Sequence, residues 1–302
     1  MKQKVMMASI IIDQDRCIRC GICIQVCPQF QGWNTRSVMP STQCGIRKQI
    51  EPTRFTNTTN DTPFPQVLEK IAPNCIKCGH CEVFCPTGAL KLNLAPDEKF
   101  SEKIGAEDIL PDHLGLYLKS RRSIRNFSLQ KVEKEKIEQM LDIVRYAASG
   151  CNSQPVQWLV VHDENVVRRL AGLTVDWMSY LCENKDPMSA VLLSLKAAWD
   201  HGIDPVCWNA PHILIAHIPE KHPSAPIDSI IALTHFDIVA PAFGIGTCWA
   251  GLLTYAAQSW KPLQETLALP QGHVISYAMV FGYPRYKKYS IPLRNPLKVV
   301  WM

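Results

Sequence analysis

Clustered basic charge is missing from this chain. Its 302 residues carry 32 Lys and Arg against 27 Asp and Glu, a net +5, and the positive side chains are spread along the sequence. Nucleic-acid binders gather such charge into a footprint, so that class of partner is excluded. A cleavable leader is absent as well. Two lysines precede a short apolar run, but the run stops at Asp13 with no small-residue cleavage site, and Ile10-Ile11-Ile12-Asp13 reads as a first strand. No apolar run is unbroken over a membrane's thickness. Ile238 to Ala257 holds twenty residues without a charge, yet Pro241, Gly244, Gly246 and Gly251 interrupt it. Lipid cannot satisfy the backbone groups that such breakers free, so the stretch reads as a buried core helix, a glycine turn and a second helix. Those glycines are spaced G-x-G-x4-G, which lacks the dinucleotide fingerprint G-x-G-x-x-G. With 47% apolar and 20% charged residues, the chain is neither disordered nor fibrous.

What it has is cysteine. Thirteen is an odd number, and a chain of this length needs no disulfide staples, which favours reduced thiols and a cytoplasmic setting. Eight fall in two copies of C-x2-C-x2-C-x3-C-P, Cys17, Cys20, Cys23, Cys27 and Cys75, Cys78, Cys81, Cys85, the second starting 75 − 17 = 58 residues after the first. Zinc takes two separated C-x2-C pairs and suits this pattern poorly. Three thiolates at i+3 steps wrap three corners of a [4Fe-4S] cube, and the fourth is carried along the following helix to the other cube. One cluster then takes Cys17, Cys20, Cys23 and Cys85, and the other Cys75, Cys78, Cys81 and Cys27. The region resembles the bacterial two-cluster ferredoxin, with Gly88-Ala89-Leu90-Lys91-Leu92 as its return strand. An insert of about residues 28–74 departs from that compact pattern. Cys44 within it is expected to be an ordinary thiol, and His80 to tune potential or face solvent rather than bind metal.

These features divide the chain into a ferredoxin-like domain over residues 1–95, a charged linker over 96–111 and a second domain over 112–302. The second domain opens on Arg121-Arg122-Ser123-Ile124-Arg125, whose guanidinium groups and hydroxyl suit a phosphate monoester. Apolar residues at Ile137, Met140, Leu141, Val144, Ala147 and Ala148 predict an amphipathic helix over Lys131 to Ala148. Polar turn residues follow from Ser149, then a buried strand up to Val161. Asn209 to His217 reads as a turn into a core strand with structural histidines. Trp158, Trp177, Trp199 and Trp208 are expected in the core or an interface, and Cys151, Cys182, Cys207 and Cys248 as small buried hydrophobes.

The order R-R-S-I-R-x-F, Ser149-Gly150-Cys151-Asn152-Ser153-Gln154-Pro155, then Gly244-Ile245-Gly246-Thr247-Cys248-Trp249-Ala250-Gly251, Phe281-Gly282-Tyr283-Pro284 and Arg294, resembles the nitroreductase family of FMN-dependent oxidoreductases. The resemblance spans essentially all of residues 112–302. It implies an FMN phosphate held by Arg121, Arg122, Ser123, Arg125 and Arg294. It also implies a flavin edge lined by Ala148, Ser149, Gly150 and Asn152, and a ring beside Cys248, Trp249, Ala250 and Gly251 with a backbone amide near N5. Gly244, Gly246 and Gly251 are expected to let backbone approach that ring. No catalytic side chain is assured. The fold class follows as α+β, a small two-cluster ferredoxin-like domain ahead of a nitroreductase-like α+β domain with an antiparallel-rich sheet.

Joining two [4Fe-4S] clusters to FMN couples one-electron to two-electron chemistry. The expected enzyme takes electrons from an external donor such as a ferredoxin and reduces a small organic acceptor, a nitroaromatic, quinone or activated alkene, as a homodimer in the cytoplasm with no membrane partner. The alternative is a carrier module that takes NAD(P)H electrons at FMN and exports them through the clusters to a protein partner. A weaker third reading is a flavin-modifying or dehalogenating enzyme.

Overall fold

Two left-handed residues in each cysteine motif set the geometry of the N-terminal unit. The computed structural model describes residues 10–28, 75–92 and 109–302. The chain divides between Lys103 and Ile104 into two units. Cys44, most of the insert about 28–74 and most of the linker 96–111 lie outside the described residues. In the first unit Arg19 and Gly21 take φ of 56° and 72°, and Lys77 and Gly79 repeat this at 54° and 76°. A Cβ on Gly79 would meet nothing within 4 Å, so the turn itself calls for glycine there. Each turn leads into a single helical turn, α1 (Ile22–Gln25) and α2 (His80–Val83), which carries the third cysteine, Cys23 or Cys81, into the interior. Strands β1 (Ile10–Ile12) and β2 (Leu90–Leu92) pair antiparallel, with Ile10 opposite Leu92. Their apolar residues pack on both buried cysteines.

The second unit is built on a four-stranded, wholly antiparallel sheet in the order β3-β4-β6-β5, with β3 at Gln157–Val161, β4 at His212–Pro219, β5 at Gly246–Trp249 and β6 at His273–Gly282. Strand periodicity separates its two cores. Ile213 and Ile215 of β4 and Ala278 and Val280 of β6 face α5 (Glu164–Glu183), α6 (Ser189–Asp200), α8 (Gly251–Ser259) and α9 (Lys261–Leu267). Leu214, Ala216, Met279 and Phe281 face α4 (Lys134–Val144) and α7 (Ala225–Val239). A further helix, α3 (Pro111–Ser120), leads into the arginine motif.

Three expectations shift in detail. The helix expected through Ala148 stops at Val144, because Ala147 N–H bonds back to Val144 O in a closing turn. Strand β3 is an edge strand with an exposed Gln157, since among the described residues no neighbour pairs its outer side. Between the glycine turn and the second helix of Ile238–Ala257 lies β5, because Thr247 and Trp249 find partners in Phe281 and Met279 of β6. The segment Ala225–Phe243 is long and apolar enough to cross a membrane by composition. Its Leu233 and Phe236 are instead fully buried against the sheet.

Candidate functional site

The thiols of the first unit gather in two groups. Burial pushes Cys23 up to about 11, and crowding by Cys20, Cys17 and Cys85 adds to it. Burial pushes Cys81 to about 12, with Cys27, Cys75 and Cys78 adding to it. One concavity is lined by Cys17, Cys20, Cys23 and Cys85 together. Four thiols crowded this way resist ionising until a cationic body binds them, and so they suit a metal cluster. Among the described residues no three His, Cys, Asp or Glu side chains converge on a single ion position. For Cys85, burial works against the thiolate, but the Thr87 hydroxyl and the Leu90, Ala89 and Thr87 amides outweigh it and lower its pKa. The Ala89 N–H donates to Cys85 Sγ at 3.3 Å. His80 is exposed, edge-on to Phe84.

In the second unit the arginine motif lies along β5. Ser123 bridges Thr247, and Ile124 N–H donates to Thr247 O at 2.8 Å. A Cβ on Gly246 would stand 2.5 Å from Ile124 Cγ1, so this close approach explains the glycine without a ligand. Gly251 is likewise accounted for by the Tyr277 hydroxyl, 3.2 Å from a Cβ there. Gly246 and Gly251 thus make room for the protein's own chain, whereas a Cβ on Gly244 would meet nothing within 4 Å.

The cations around the motif outnumber their counter-charges. Arg121 pairs with the buried Asp237 at 3.3 Å. Arg122 donates to the Arg121 and Lys119 carbonyls, both at 2.6 Å, while its Nε is buried without a partner. Its pKa is lowered, first by burial and then by Arg294 and Arg121. Lys288, whose Nζ donates to Ser120 O at 3.0 Å, is lowered by burial and then by Arg122 and Arg121. Four cations against one carboxylate, with an orphaned guanidinium N–H, fit a phosphate-bearing ligand.

Beside this cluster opens a cavity of about 1080 Å³, walled by the stretch 123–129, the start of α5, the loop around 203–211 and residues 285–288. That volume is ample for a cofactor. Arg125 lies 5.5 Å from the centroid of the Trp208 ring on its wall. The loop carrying Trp208 is organised by Asp204, 5% exposed, which accepts the N–H groups of Val206 (2.9 Å), Cys207 (2.8 Å) and Asn209 (3.0 Å). Trp208 and Asn209 both take left-handed backbone, φ 57° and 51°. Trp208 packs against the core, as expected, and is also part of the cavity wall.

Cys248 is buried, and burial raises its thiol against the opposing pull of Arg125 and the Ser123 hydroxyl. Thr247 and Trp249 point to the other side of β5, where the Thr247 hydroxyl and the Trp249 indole N–H (3.2 Å) both donate to Asp237. The Ala250 N–H is taken by Ala278 O at 2.9 Å. Gly251 opens α8, and the first N–H groups of a helix have no intrahelical acceptor, so its amide is the better donor to a ligand.

The remaining expected contacts lie elsewhere. Gly150 N–H donates to Asp228 Oδ1 at 3.0 Å, and Asp228 Oδ2 accepts from Ser224 Oγ at 2.8 Å. Asp228 and Asp237 stand nine residues apart on α7, about 13.5 Å along the helix. One chain therefore brings together Arg121, Arg122, Ser123, Arg125, Cys248, Trp249 and Arg294, while Ala148, Ser149, Gly150 and Asn152 sit at the far end of α7. Cys151 is exposed rather than buried, in a loop where it, Asn152 and Gln154 all take positive φ. Cys182 is half-buried against α6. Nothing in the sequence pattern singles out Lys288, Asp204 or Asn209, although the basic pair Lys287-Lys288 just beyond Phe281-Gly282-Tyr283-Pro284 is a signal once the chain is known to return to the arginine motif.

Comparison with known proteins gives two family matches, the nitroreductase family over residues 118–283 and a 4Fe-4S dicluster domain over 13–89. A protein of Archaeoglobus fulgidus, provisionally described as an NADH dehydrogenase/NAD(P)H nitroreductase, is 25% identical over 169 residues, 56% of this chain and 84% of its own. A nitroreductase with bound FMN from Desulfitobacterium hafniense superposes with a TM-score of 0.52 at 17% identity, covering 63% of this chain and 100% of that one. A BluB-like flavoprotein from Clostridium difficile gives 0.51 at 18% identity, covering 61% and 94%.

Proposed function

This chain belongs to the nitroreductase family of FMN-dependent oxidoreductases and carries a 4Fe-4S dicluster domain ahead of that fold, and from this premise we propose that it couples one-electron delivery to the two-electron reduction of an organic acceptor. The acceptor class is nitroaromatic, quinone or activated alkene. Bound FMN supplies the chemistry that joins the two regimes, since it accepts electrons singly or in pairs and delivers a hydride from N5. Cys17, Cys20, Cys23 and Cys85 hold one [4Fe-4S] cluster, and Cys75, Cys78, Cys81 and Cys27 the other. Arg122, Lys288 and Arg294 meet the phosphate charge, helped by the Ser123 hydroxyl. Arg121 is shared with Asp237. Arg125 and Trp208 on the wall of the large cavity, and the Gly251 amide at the start of α8, are the groups that would hold the ring. The edge contacts Ala148, Ser149, Gly150 and Asn152 come from the second copy in a homodimer, which answers their separation from the phosphate cluster along α7. Solvent supplies the protons.

The observation that carries this reading is the unbalanced Arg122, Lys288 and Arg294 group, with its orphaned Arg122 Nε, of which Lys288 also lines the cavity of about 1080 Å³. A second reading, NAD(P)H oxidation at the flavin with export through the clusters, draws support from the description of the Archaeoglobus relative. Anaerobic titration of the holoprotein with NADH, NADPH or reduced ferredoxin, following flavin absorbance and cluster EPR together, separates them. Ferredoxin loading the clusters and then the flavin, with both nicotinamides inert, supports the reductase. Bleaching of the flavin by a nicotinamide before the clusters respond supports export. A gently isolated protein without flavin overturns both.

A further inference from the structure

An acid in the last turn of a helix faces the negative end of the helix dipole, and burying it adds a desolvation cost. Asp237 is in that position near the end of α7, with its side chain 7% exposed. Three donors from separate places hold it. The Thr247 hydroxyl comes from the middle of β5, the Trp249 indole N–H from the end of that strand at 3.2 Å, and the Arg121 guanidinium from the residue capping α3 at 3.3 Å. Its charge also reaches the Cys248 thiol. Two of these partners, Arg121 and Trp249, belong to the proposed flavin site, and Thr247 carries the backbone bridge that seats Ser123.

We propose that Asp237 is a positioning residue of the flavin site, acting through Arg121 and Trp249. It fixes the guanidinium fork and the indole plane against each other. By balancing Arg121 it leaves Arg122, Lys288 and Arg294 as the net counter-charge for the phosphate, and as a fixed negative charge beside the site it disfavours the added electron density of reduced flavin. The inference rests on the FMN reading above.

The test is Asp237→Asn in the full-length holoprotein, read by FMN dissociation constant and flavin midpoint potential. Losing the charged partner of two hydrogen bonds and an ion pair is expected to weaken FMN binding about ten-fold, and to raise the midpoint potential. Unchanged or tighter binding overturns the proposal. So does weaker binding with an unmoved potential, which is the mark of a merely structural residue. If Asp237→Asn does not fold, Trp249→Phe removes one donor and keeps an aromatic ring. Weaker FMN binding with a changed near-ultraviolet dichroism of the bound flavin is then expected, and wild-type values for both overturn the proposal. A wild-type protein that holds no FMN defeats the FMN reading itself, whereas wild-type flavin properties in the variants defeat only this inference.

Discussion

Gly246→Ala tests how the arginine motif is seated. The added Cβ would stand 2.5 Å from Ile124 Cγ1, 2.8 Å from its Cβ and 3.0 Å from Cγ2. Gly246 is buried, and neither side yields cheaply. Ile124 is tied through its N–H to Thr247 O, and Gly246 is paired with Gly282 in β6. Overpacking of this kind costs about 1–3 kcal/mol, against which the stiffer unfolded chain returns about 0.4–1 kcal/mol. A net loss of about 1–2 kcal/mol is expected, with FMN affinity falling in parallel because Ser123 is carried on the same displaced segment. The assay is urea unfolding followed by far-ultraviolet dichroism, alongside FMN titration, on Gly246→Ala, Ile124→Ala and the pair. Ile124→Ala removes Cγ1 and Cγ2, so the double variant is expected to cost less than the sum by at least about 0.5 kcal/mol. Strict additivity would refute the clash as the reason for the glycine. Gly244→Ala is the control, because Gly244 has a φ of 75° and nothing within 4 Å of a Cβ. Its cost, about 1 kcal/mol of backbone strain, is expected to be indifferent to Ile124.

Other perturbations follow from particular groups. His212 is lowered from 6.5 to about 4, first by burial and then by His162, and its Nε2 accepts the Val132 N–H at 2.9 Å only while neutral. Its contribution is therefore complete above pH 6.5 and lost as pH falls toward 4, worth about 3 kcal/mol. Urea unfolding at pH 7 and pH 4.5 checks this, since His212→Asn is expected to lose distinctly less stability over that interval than wild type, and equal losses refute it. Cys85→Ser and Cys17→Ser are expected to alter the same cluster EPR signal and Cys27→Ser the other one, whereas Cys85→Ser acting on the signal of Cys75 would defeat the crossed ligation. Gly172→Ala, inside α5 with only an ordinary 3.7 Å contact to Trp199, is expected to raise stability by about 0.5–1 kcal/mol, as thermal unfolding would show.

The fold and the site were legible to different depths. Motif spacing carries its own geometry, so the two cysteine turns repeat in backbone angles as they do in sequence. The core strand was plain in the unbroken apolar run Ile213 to Ala216, because both faces of a central strand are covered. Strand β5 was hidden, because Gly246-Thr247-Cys248-Trp249 owes its conformation to partners in β6 some thirty residues on, and local propensity says nothing of them. The cavity wall was hidden for a related reason. Asp204, Trp208 and Asn209 form one loop through backbone bonds to a single carboxylate, an arrangement with no period to detect. The arginines were visible as a cluster, but their balance was not, since it depends on Asp237 from α7 and on Lys288 from the returning tail.

Helix α7 ties these observations into one argument. It is so apolar that it passes for a membrane span, yet two of its buried residues are acids, Asp228 and Asp237. Hydrophobic packing alone would favour neither, because each carries a desolvation cost that only donors offset. Asp228 holds the Gly150 amide and Ser224, whose Cβ and Oγ lie 2.7 Å from where a Cβ on Gly150 would be. Asp237 holds Arg121, Thr247 and Trp249. Each acid thus pins one of the two groups of residues expected to contact the flavin, and the helix between them fixes the spacing at about 13.5 Å. A loop with three left-handed residues and an arginine cluster short of counter-charge are both conformations a free chain would abandon. The rigidity of α7 in the core is what keeps them, which makes it a structural element of the site as much as of the fold.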